Sequence, residues 1–273
     1  MLKTLRKMKK YFRFLIMVTV LTLFIPAVQI YAQNDLFKAE HYISGSDTLN
    51  YRILFPKDFD ASQTYPVVLF LHGAGERGND NQKQLAHNRS LFIENRDAFP
   101  AIVILPQCPE TDYWSNVNVD RSTHPLTLTF PKNQPPTKAL SMVMRLMESM
   151  LNKIYVDKNR VYVGGLSMGG MGTFELLSRQ PDVFAGAFAI CGAGNPDTVP
   201  NFAQRVPMWI FHGAKDDVVN PQESLKMVSG ILKEGGHPNF SLYANDNHNS
   251  WDTAFAEPQL LPWLFSNSKL NSK

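Results

Sequence analysis

The residue types with the clearest chemistry stand in one short segment, Gly165-Leu166-Ser167-Met168-Gly169. It follows an apolar run at 161–163 and precedes a segment of helical composition. A serine hydroxyl acts as a nucleophile when a tight, strained turn projects it toward a general base. Glycines two residues to either side avoid the backbone collisions of such a turn. The spacing therefore predicts that Ser167 is a nucleophile between a strand and a helix beginning near Met168.

A carboxylate that can orient a base follows a predicted buried strand at 207–211, in the segment His212-Gly213-Ala214-Lys215-Asp216-Asp217-Val218-Val219. We favour Asp216 because the spacing Gly-x-x-Asp-x-x-Val places it on the turn itself. The alternative, Asp217, is expected to face solvent or to help start a helix at Pro221. His212 and Asp216 are four residues apart but lie on a turn, and no group of His, Cys or Asp has metal-ligand spacing in the sequence.

Two histidines, His237 and His248, follow the acid along the chain. His237 lies in a Gly-Gly-His-Pro helix-stop turn ahead of a strand at 240–243, which is the wrong end of that strand. His248 follows the strand, where a loop can return its imidazole to Ser167. A single loop histidine is usually a surface residue, but the order nucleophile, acid, base favours His248 as the general base.

A glycine-rich segment at 72–78 follows the apolar strand at 67–71 and exposes backbone amides. One amide near Ala74 or Gly75, together with that of Met168, is expected to stabilise a developing oxyanion. His72 is an alternative base, but it precedes the nucleophile and is expected to brace the loop. A phosphate-binding loop would close with Lys-Ser or Lys-Thr, and none does.

The chain resembles the α/β-hydrolase superfamily, and more narrowly the secreted esterases and predicted peptidases grouped with dienelactone hydrolases, polyhydroxybutyrate depolymerases and feruloyl or acetyl-xylan esterases. The resemblance rests on five blocks in the order of those families, at 72–78, 106–109, 165–170, 212–216 and 248–252. It implies a triad of Ser167, Asp216 and His248, with Ala74 and Met168 in the oxyanion hole. It does not fix a substrate.

The elements that position these residues alternate between strands and helices. Apolar strands are predicted at 66–71, 101–105, 161–163, 185–190, 207–211 and 240–243, after a hairpin at 40–54. This alternation predicts a mostly parallel sheet, and the resemblance implies about eight strands flanked by helices, without a large lid domain. One helix is expected to pack a single apolar face into the core, formed by Val143, Leu146, Met147, Met150, Leu151 and Ile154.

Residues 1–32 are expected to form a signal peptide. Six Lys or Arg and no acid precede an apolar run at 14–28, which is short for a membrane span. Cleavage is expected after Ala32, with Ala27 as a weaker site and a retained anchor as the alternative. The rest of the chain has 21 Lys and Arg residues and 24 acidic residues. Its net charge therefore gives no sign of nucleic-acid binding. Residues 33–273 are predicted to be a single secreted or periplasmic catalytic domain, without stable membrane insertion after cleavage.

The chain has two cysteines, Cys108 and Cys191. An even cysteine count in a secreted chain suggests a disulfide, but the resemblance places Cys108 and Cys191 after strands about three spacings of 4.8 Å apart, too far for a bond unless the loops close the gap.

In the irregular stretch 109–136, Trp114 is predicted to line an apolar cleft, with Trp251 beside His248. The alternative for Trp251 is that it anchors the terminal helix.

These features predict a secreted serine carboxylic-ester hydrolase that forms an acyl-enzyme and needs neither cofactor nor metal. The expected partners are small-molecule or polysaccharide esters. By the resemblance these include acetyl or feruloyl esters on polysaccharide. A serine peptidase of the same fold is the nearest alternative, and a catalytically inactive binding protein is the alternative from a different class.

Overall fold

The structure is a computed structural model that describes residues 36–270 of the chain. Its ten strands are β1 (Lys38–Ser44), β2 (Asp47–Leu54), β3 (Tyr65–Leu71), β4 (Ile102–Pro106), β5 (Asn118–Asp120), β6 (Thr127–Thr129), β7 (Val156–Leu166), β8 (Gly186–Ile190), β9 (Met208–Gly213) and β10 (Asn239–Tyr243). Its α-helices are α1 (Arg89–Glu94), α2 (Lys138–Leu151), α3 (Met168–Arg179), α4 (Pro221–Lys233), α5 (Trp251–Phe255) and α6 (Leu260–Ser266).

Eight of these strands form one sheet in the order β1-β2-β4-β3-β7-β8-β9-β10. The six strands β4-β3-β7-β8-β9-β10 are parallel to one another, whereas β2 pairs with β4 antiparallel. Every residue of β4 and β8 is buried, because helices cover both faces of a parallel sheet. The predicted mostly parallel sheet of about eight strands is confirmed, and the predicted hairpin corresponds to the neighbouring strands β1 and β2.

Helix α2 confirms most of the predicted apolar face. Thr137 caps it by accepting a hydrogen bond from the Leu140 amide at 3.2 Å. Val143, Leu146, Met147 and Met150 are buried, as predicted, and Leu151 is half-buried. Ile154 was wrongly placed on this face: the helix ends at Leu151, so the helical period stops before it, and its side chain is 82% exposed.

The stretch at 109–136 is less irregular than predicted. It contains β5 and β6, which pair antiparallel as a separate two-stranded hairpin. The amide of Leu126 in this hairpin donates to the carbonyl of Val218, in the loop after β9, at 2.8 Å. Strands of three residues are too short for alternation to reveal them in the sequence.

Cys108 follows β4 and Cys191 follows β8, and β3 and β7 lie between those two strands. Both cysteines are buried and free. The strand order therefore agrees with the separation that argued against a disulfide.

The predicted signal peptide, residues 1–32, lies outside the described residues. Within residues 36–270, no helix combines the length and the apolar character needed to cross a membrane.

Candidate active site

Ser167 occupies the turn between β7 and α3. Its φ of 53° and ψ of −117° are strained for a residue with a side chain. A Cβ atom added to Gly165 would overlap the carbonyl oxygen of Gly169, and one added to Gly169 would overlap that of Leu71. The predicted strand-to-helix turn is therefore present, and it requires both flanking glycines.

The structure brings together three predicted side chains that are far apart in the chain. Oγ of Ser167 lies 2.9 Å from Nε2 of His248, and Nδ1 of His248 lies 2.8 Å from Oδ2 of Asp216. The Asp216 side chain is fully buried, whereas that of His248 is 19% exposed and lines a cleft. His237, the base not favoured from the sequence, is exposed after α4.

Asp216 is held as a carboxylate by donors on both of its oxygens. Oδ1 accepts from the amides of Val218 and Val219, each at 2.9 Å. Burial alone would raise the pKa of Asp216, but hydrogen bonds from His212 and His248 and the Val218 amide bring it well below its ordinary value. Because the carboxylate only accepts, Nδ1 of His248 carries the proton between them, which leaves Nε2 free to accept from Ser167.

The alternative carboxylate, Asp217, takes a different position. It is exposed, and its amide donates to Oδ1 of Asn247 at 3.0 Å. The same Asn247 oxygen accepts from the amide of His248 at 2.6 Å. Asn247 thus ties the loop after β9 to the loop after β10, which fixes the distance between Asp216 and His248.

His212 is a site residue that the sequence analysis did not identify. Its ring is fully buried, with Nε2 3.2 Å from Oδ2 of Asp216 and 3.0 Å from the Val219 carbonyl oxygen. Nδ1 lies 2.7 Å from Oγ of Ser224, which in turn lies 3.2 Å from the Gly192 carbonyl oxygen. The spacing of four residues between His212 and Asp216 was the available signal, but it was considered only for metal binding.

His72 braces the glycine-rich loop, as expected. Its Nε2 accepts from the Cys108 amide at 2.9 Å, so Nδ1 carries the proton and donates to the Gly73 carbonyl at 2.6 Å. Burial in this apolar setting lowers the pKa of His72 to about 4. The ring is therefore neutral and uses both nitrogens in structural hydrogen bonds.

The two predicted oxyanion donors lie on adjoining turns. Ala74 is the first residue of a 3₁₀ turn, Ala74–Glu76, and Met168 is the first residue of α3. The amide of a first helical residue has no acceptor within its own helix. A Cβ atom built on Gly73 would lie 3.7 Å from Cβ of Ser167, so the glycine-rich loop passes directly beside the serine.

A cleft of ≈ 250 Å³ opens above the serine. Trp251 lines it, as predicted, with its ring centroid 5.6 Å from that of His248, and it also begins α5. The cleft is lined by Ser167 and His248 together with Gly73, Ala74, Gly75, Glu76, Tyr113, Arg121, Leu126, Leu128, Leu166, Met171, Val218, Val219 and Trp251.

Trp114 was wrongly predicted to line this cleft. Its side chain is fully buried, and its indole N–H donates to the carbonyl of His72 at 3.1 Å. A buried indole needs such an acceptor, and this hydrogen bond draws the ring into the core beside α3. Tyr113, one residue earlier, reaches the cleft instead.

Cys191, Asp216 and His248 have potential ligand atoms within 4.8 Å of one another, a grouping that sequence spacing could not reveal because each follows a different strand. Asp216 and His248 already bond to each other, and burial raises the pKa of the Cys191 thiol, which donates to the His248 carbonyl at 3.5 Å. All three groups therefore take part in hydrogen bonds within the site itself.

A mostly parallel sheet with these side chains on loops at the carboxyl ends of its strands defines an α/β-hydrolase. Residues 59–259 match the phospholipase/carboxylesterase family, and the chain belongs to that family. The resemblance to the α/β-hydrolase superfamily predicted from the sequence is confirmed.

Three similar proteins illustrate the range of relatives. A bifunctional acetylxylan esterase/xylanase from Neocallimastix patriciarum is 36% identical over 97 residues, covering 36% of this chain and 14% of the relative. Feruloyl esterase B from Thermothelomyces thermophilus is 28% identical over 218 residues, covering 66% of this chain and 69% of the relative. The solved structure of a thermostable esterase has a TM-score of 0.75 at 32% identity, covering 86% of this chain and 64% of that one. The chain thus spans less than two thirds of the first and third of these proteins.

Proposed function

We propose that the protein is a secreted serine carboxylic-ester hydrolase that works through an acyl-enzyme. The observation that carries the proposal is the continuous line of hydrogen bonds from Ser167 through His248 to Asp216, with both distances below 3 Å. A hydroxyl, an imidazole and a carboxylate in this order form the arrangement that activates a serine for acyl transfer.

In the proposed reaction, Nε2 of His248 accepts the Ser167 proton while Oγ attacks the ester carbonyl carbon. The tetrahedral intermediate then expels the alcohol, which takes that proton from His248. Water attacks the acyl-enzyme with His248 again as base, and the acid is released as Oγ recovers its proton. The ionised Asp216 stabilises the transient imidazolium from a buried position, where its charge is screened little by solvent.

The oxygen that becomes negative in each intermediate is proposed to bind the amides of Ala74 and Met168. Two arguments support this role: both amides lie at the start of helical turns, and both turns adjoin Ser167. One such donor contributes on the order of 3 kcal/mol to the transition state in serine hydrolases.

The proposed substrates are small-molecule or polysaccharide esters, with acetyl and feruloyl groups as the first candidates. Similarity to an acetylxylan esterase/xylanase and to a feruloyl esterase supports this choice. The cleft of ≈ 250 Å³, with the aromatic residues Tyr113 and Trp251 in its lining, can receive an acyl group of modest size.

Residues 33–273 are proposed to be the catalytic domain, exported by a signal peptide at residues 1–32. The support is the six Lys and Arg residues among positions 1–13, followed by an apolar segment. Amino-terminal sequencing of the protein recovered from the periplasm or medium tests this part: a terminus near residue 33 supports cleavage after Ala32, and an intact Met1 contradicts it.

Covalent labelling with a fluorophosphonate tests the mechanism. The wild-type protein should be labelled and Ser167→Ala should not, whereas the matched variant Ser178→Ala, at the far end of α3, should be labelled like the wild type. Equal labelling of Ser167→Ala would contradict the proposal, and no labelling of the wild type would favour an inactive binding protein.

A substrate panel then separates the types of hydrolase. Short 4-nitrophenyl esters, acetylated xylan and methyl ferulate should be hydrolysed, each with the same dependence on Ser167. An aminoacyl anilide tests peptidase activity. Hydrolysis of the anilide but of none of the esters would replace the esterase proposal with the peptidase alternative.

A further inference from the structure

Glu76 and Arg121 are the two residues with charged side chains that line the cleft containing Ser167 and His248. Glu76 is compensated: its Oε1 lies 3.4 Å from Nε2 of His87, and its side chain is only 13% exposed. Burial would raise the pKa of Glu76, but the hydrogen bond from His87 lowers it overall, and the same contact raises the pKa of His87. Glu76 therefore has its own partner in His87 and forms no ion pair with Arg121.

Arg121 is not compensated. Its side chain is exposed and makes no hydrogen bond or ion pair with any residue in the described range 36–270. A second cation, Arg77, has its guanidinium 5.2 Å from the centroid of the Tyr113 ring, and Tyr113 lines the cleft. It donates to the carbonyls of Ala74, Glu110 and Asp112 and to no carboxylate of the residues that the structure describes. Among the residues that line the cleft, Arg121 is therefore the exposed cation whose donors no carboxylate of residues 36–270 occupies.

The backbone around Arg121 is held in place. The carboxylate of Asp120 accepts from the Ser122 amide at 2.8 Å and from its hydroxyl at 2.6 Å, which closes a turn around Arg121 and occupies the adjacent acid. Further along the hairpin, the hydrogen bond from Leu126 to Val218 anchors it two residues from Asp216. The β5–β6 hairpin, which carries Arg121, is thus fixed to the loop after β9, which carries Asp216 of the proposed triad.

We propose that Arg121 binds a carboxylate of the substrate, so that the preferred esters carry a free carboxylate close to the scissile bond. A guanidinium presents a planar fork of donors that matches a carboxylate in two parallel hydrogen bonds. Because Arg121 and Ser167 line the same cleft of ≈ 250 Å³, one bound substrate can place its carboxylate at Arg121 and its ester at Ser167. This inference rests on the proposed esterase function and extends it to the class of substrate.

The carboxylate can belong to the acyl group or to the alcohol, and two matched pairs of esters distinguish these sources. For the acyl side, mono-4-nitrophenyl glutarate is compared with 4-nitrophenyl pentanoate, in which a methyl group replaces the carboxylate. For the alcohol side, 3-acetoxypropanoate is compared with propyl acetate. The measured quantity is the ratio of kcat/KM for the acidic ester to kcat/KM for its neutral partner.

Arg121→Gln should lower this ratio about tenfold in at least one pair, the size of one charge-assisted hydrogen bond. Arg121→Lys should keep part of the preference, because it retains the charge without the fork, and Arg121→Glu should favour the neutral ester. Raising the salt concentration should reduce the wild-type ratio. The matched control is Lys153→Gln, which removes an exposed cation after α2, outside the cleft.

Hydrolysis of 4-nitrophenyl acetate by each variant shows whether the proposed triad is intact. Unchanged ratios for both pairs in Arg121→Gln, with this hydrolysis retained, would overturn the inference and leave the esterase proposal standing. Absence of any ester hydrolysis by the wild type would instead overturn the proposed function. A change in only one pair would support the inference and assign the carboxylate to the acyl or the alcohol side.

Discussion

Nε2 of His212 lies 3.2 Å from Oδ2 of Asp216, the same oxygen that receives the hydrogen bond from His248. Two histidines thus share one oxygen of a fully buried carboxylate. His212 cannot move without breaking its contacts with Ser224 and the Val219 carbonyl. We infer that His212 is a positioning residue, because it fixes the carboxylate that orients His248 without reaching the cleft itself.

Replacement His212→Gln should lower kcat with little change in KM. The glutamine leaves Asp216 with weaker support, which costs about 1.5–3 kcal/mol for a lost hydrogen bond to a charged group, or roughly ten- to 150-fold in rate. Steady-state kinetics on 4-nitrophenyl acetate measure this effect, and Ser224→Ala should give a smaller loss in the same direction. An unchanged kcat in a folded His212→Gln protein would contradict the positioning role.

The two neighbouring carboxylates should respond very differently to amidation. Asp216→Asn should reduce kcat by about 10³-fold or more, because an amide stabilises the wrong tautomer of His248 and cannot support its positive form. Asp217→Asn should stay within about twofold of the wild type, since its side chain is exposed. Measuring both variants at one pH makes each the control of the other, and comparable losses would show that Asp216 has no special role.

Glycine is required at one position in this site and dispensable at another. A Cβ atom at Gly169 would overlap the Leu71 carbonyl, whereas one at Gly75 would meet no atom within 4 Å. Gly169→Ala should therefore lose the packing of α3 on the sheet, with a fall in melting temperature and loss of activity. Gly75→Ala should keep the wild-type melting temperature. Equal melting temperatures for the two variants would contradict the close approach of α3 to β3.

Features encoded by local spacing were predictable from the sequence. The turn at Ser167 follows from its glycines, and the order of Ser167, Asp216 and His248 follows from the strands that precede them. The four-residue spacing of His212 and Asp216 did not by itself show that the two side chains are in contact. The place of Arg121 in the cleft was not predictable, because it depends on how separate loops meet above the sheet. Trp114 was misplaced for the same reason: composition suggested a cleft, but the acceptor that draws its indole inward is the His72 carbonyl, 42 residues away.

Trp114→Ala should act on stability. Removing a fully buried indole creates a cavity and leaves the His72 carbonyl without its donor, at a cost of about 3–5 kcal/mol. Trp251→Ala should instead change KM for bulky esters, because Trp251 lines the cleft. Urea denaturation and steady-state kinetics of both variants test this contrast. A Trp114→Ala protein with wild-type stability would contradict the core position.

Stability should fall as the pH decreases toward 4 because of His72. Its pKa is about 4 in the native protein and 6.5 ordinarily, so between these values the unfolded chain binds a proton that the native chain does not. The free energy of unfolding therefore rises with pH across this window, by up to about 3 kcal/mol from this group. His72→Gln retains one donor and one acceptor. Urea denaturation of this variant should show a flatter pH dependence of the free energy of unfolding between about pH 4.5 and 6.5, the window in which the pKa shift acts. The control His237→Gln removes an exposed histidine and should leave the slope of the unfolding free energy against pH unchanged. Equal slopes for the wild type and His72→Gln would mean that His72 is not kept neutral by burial.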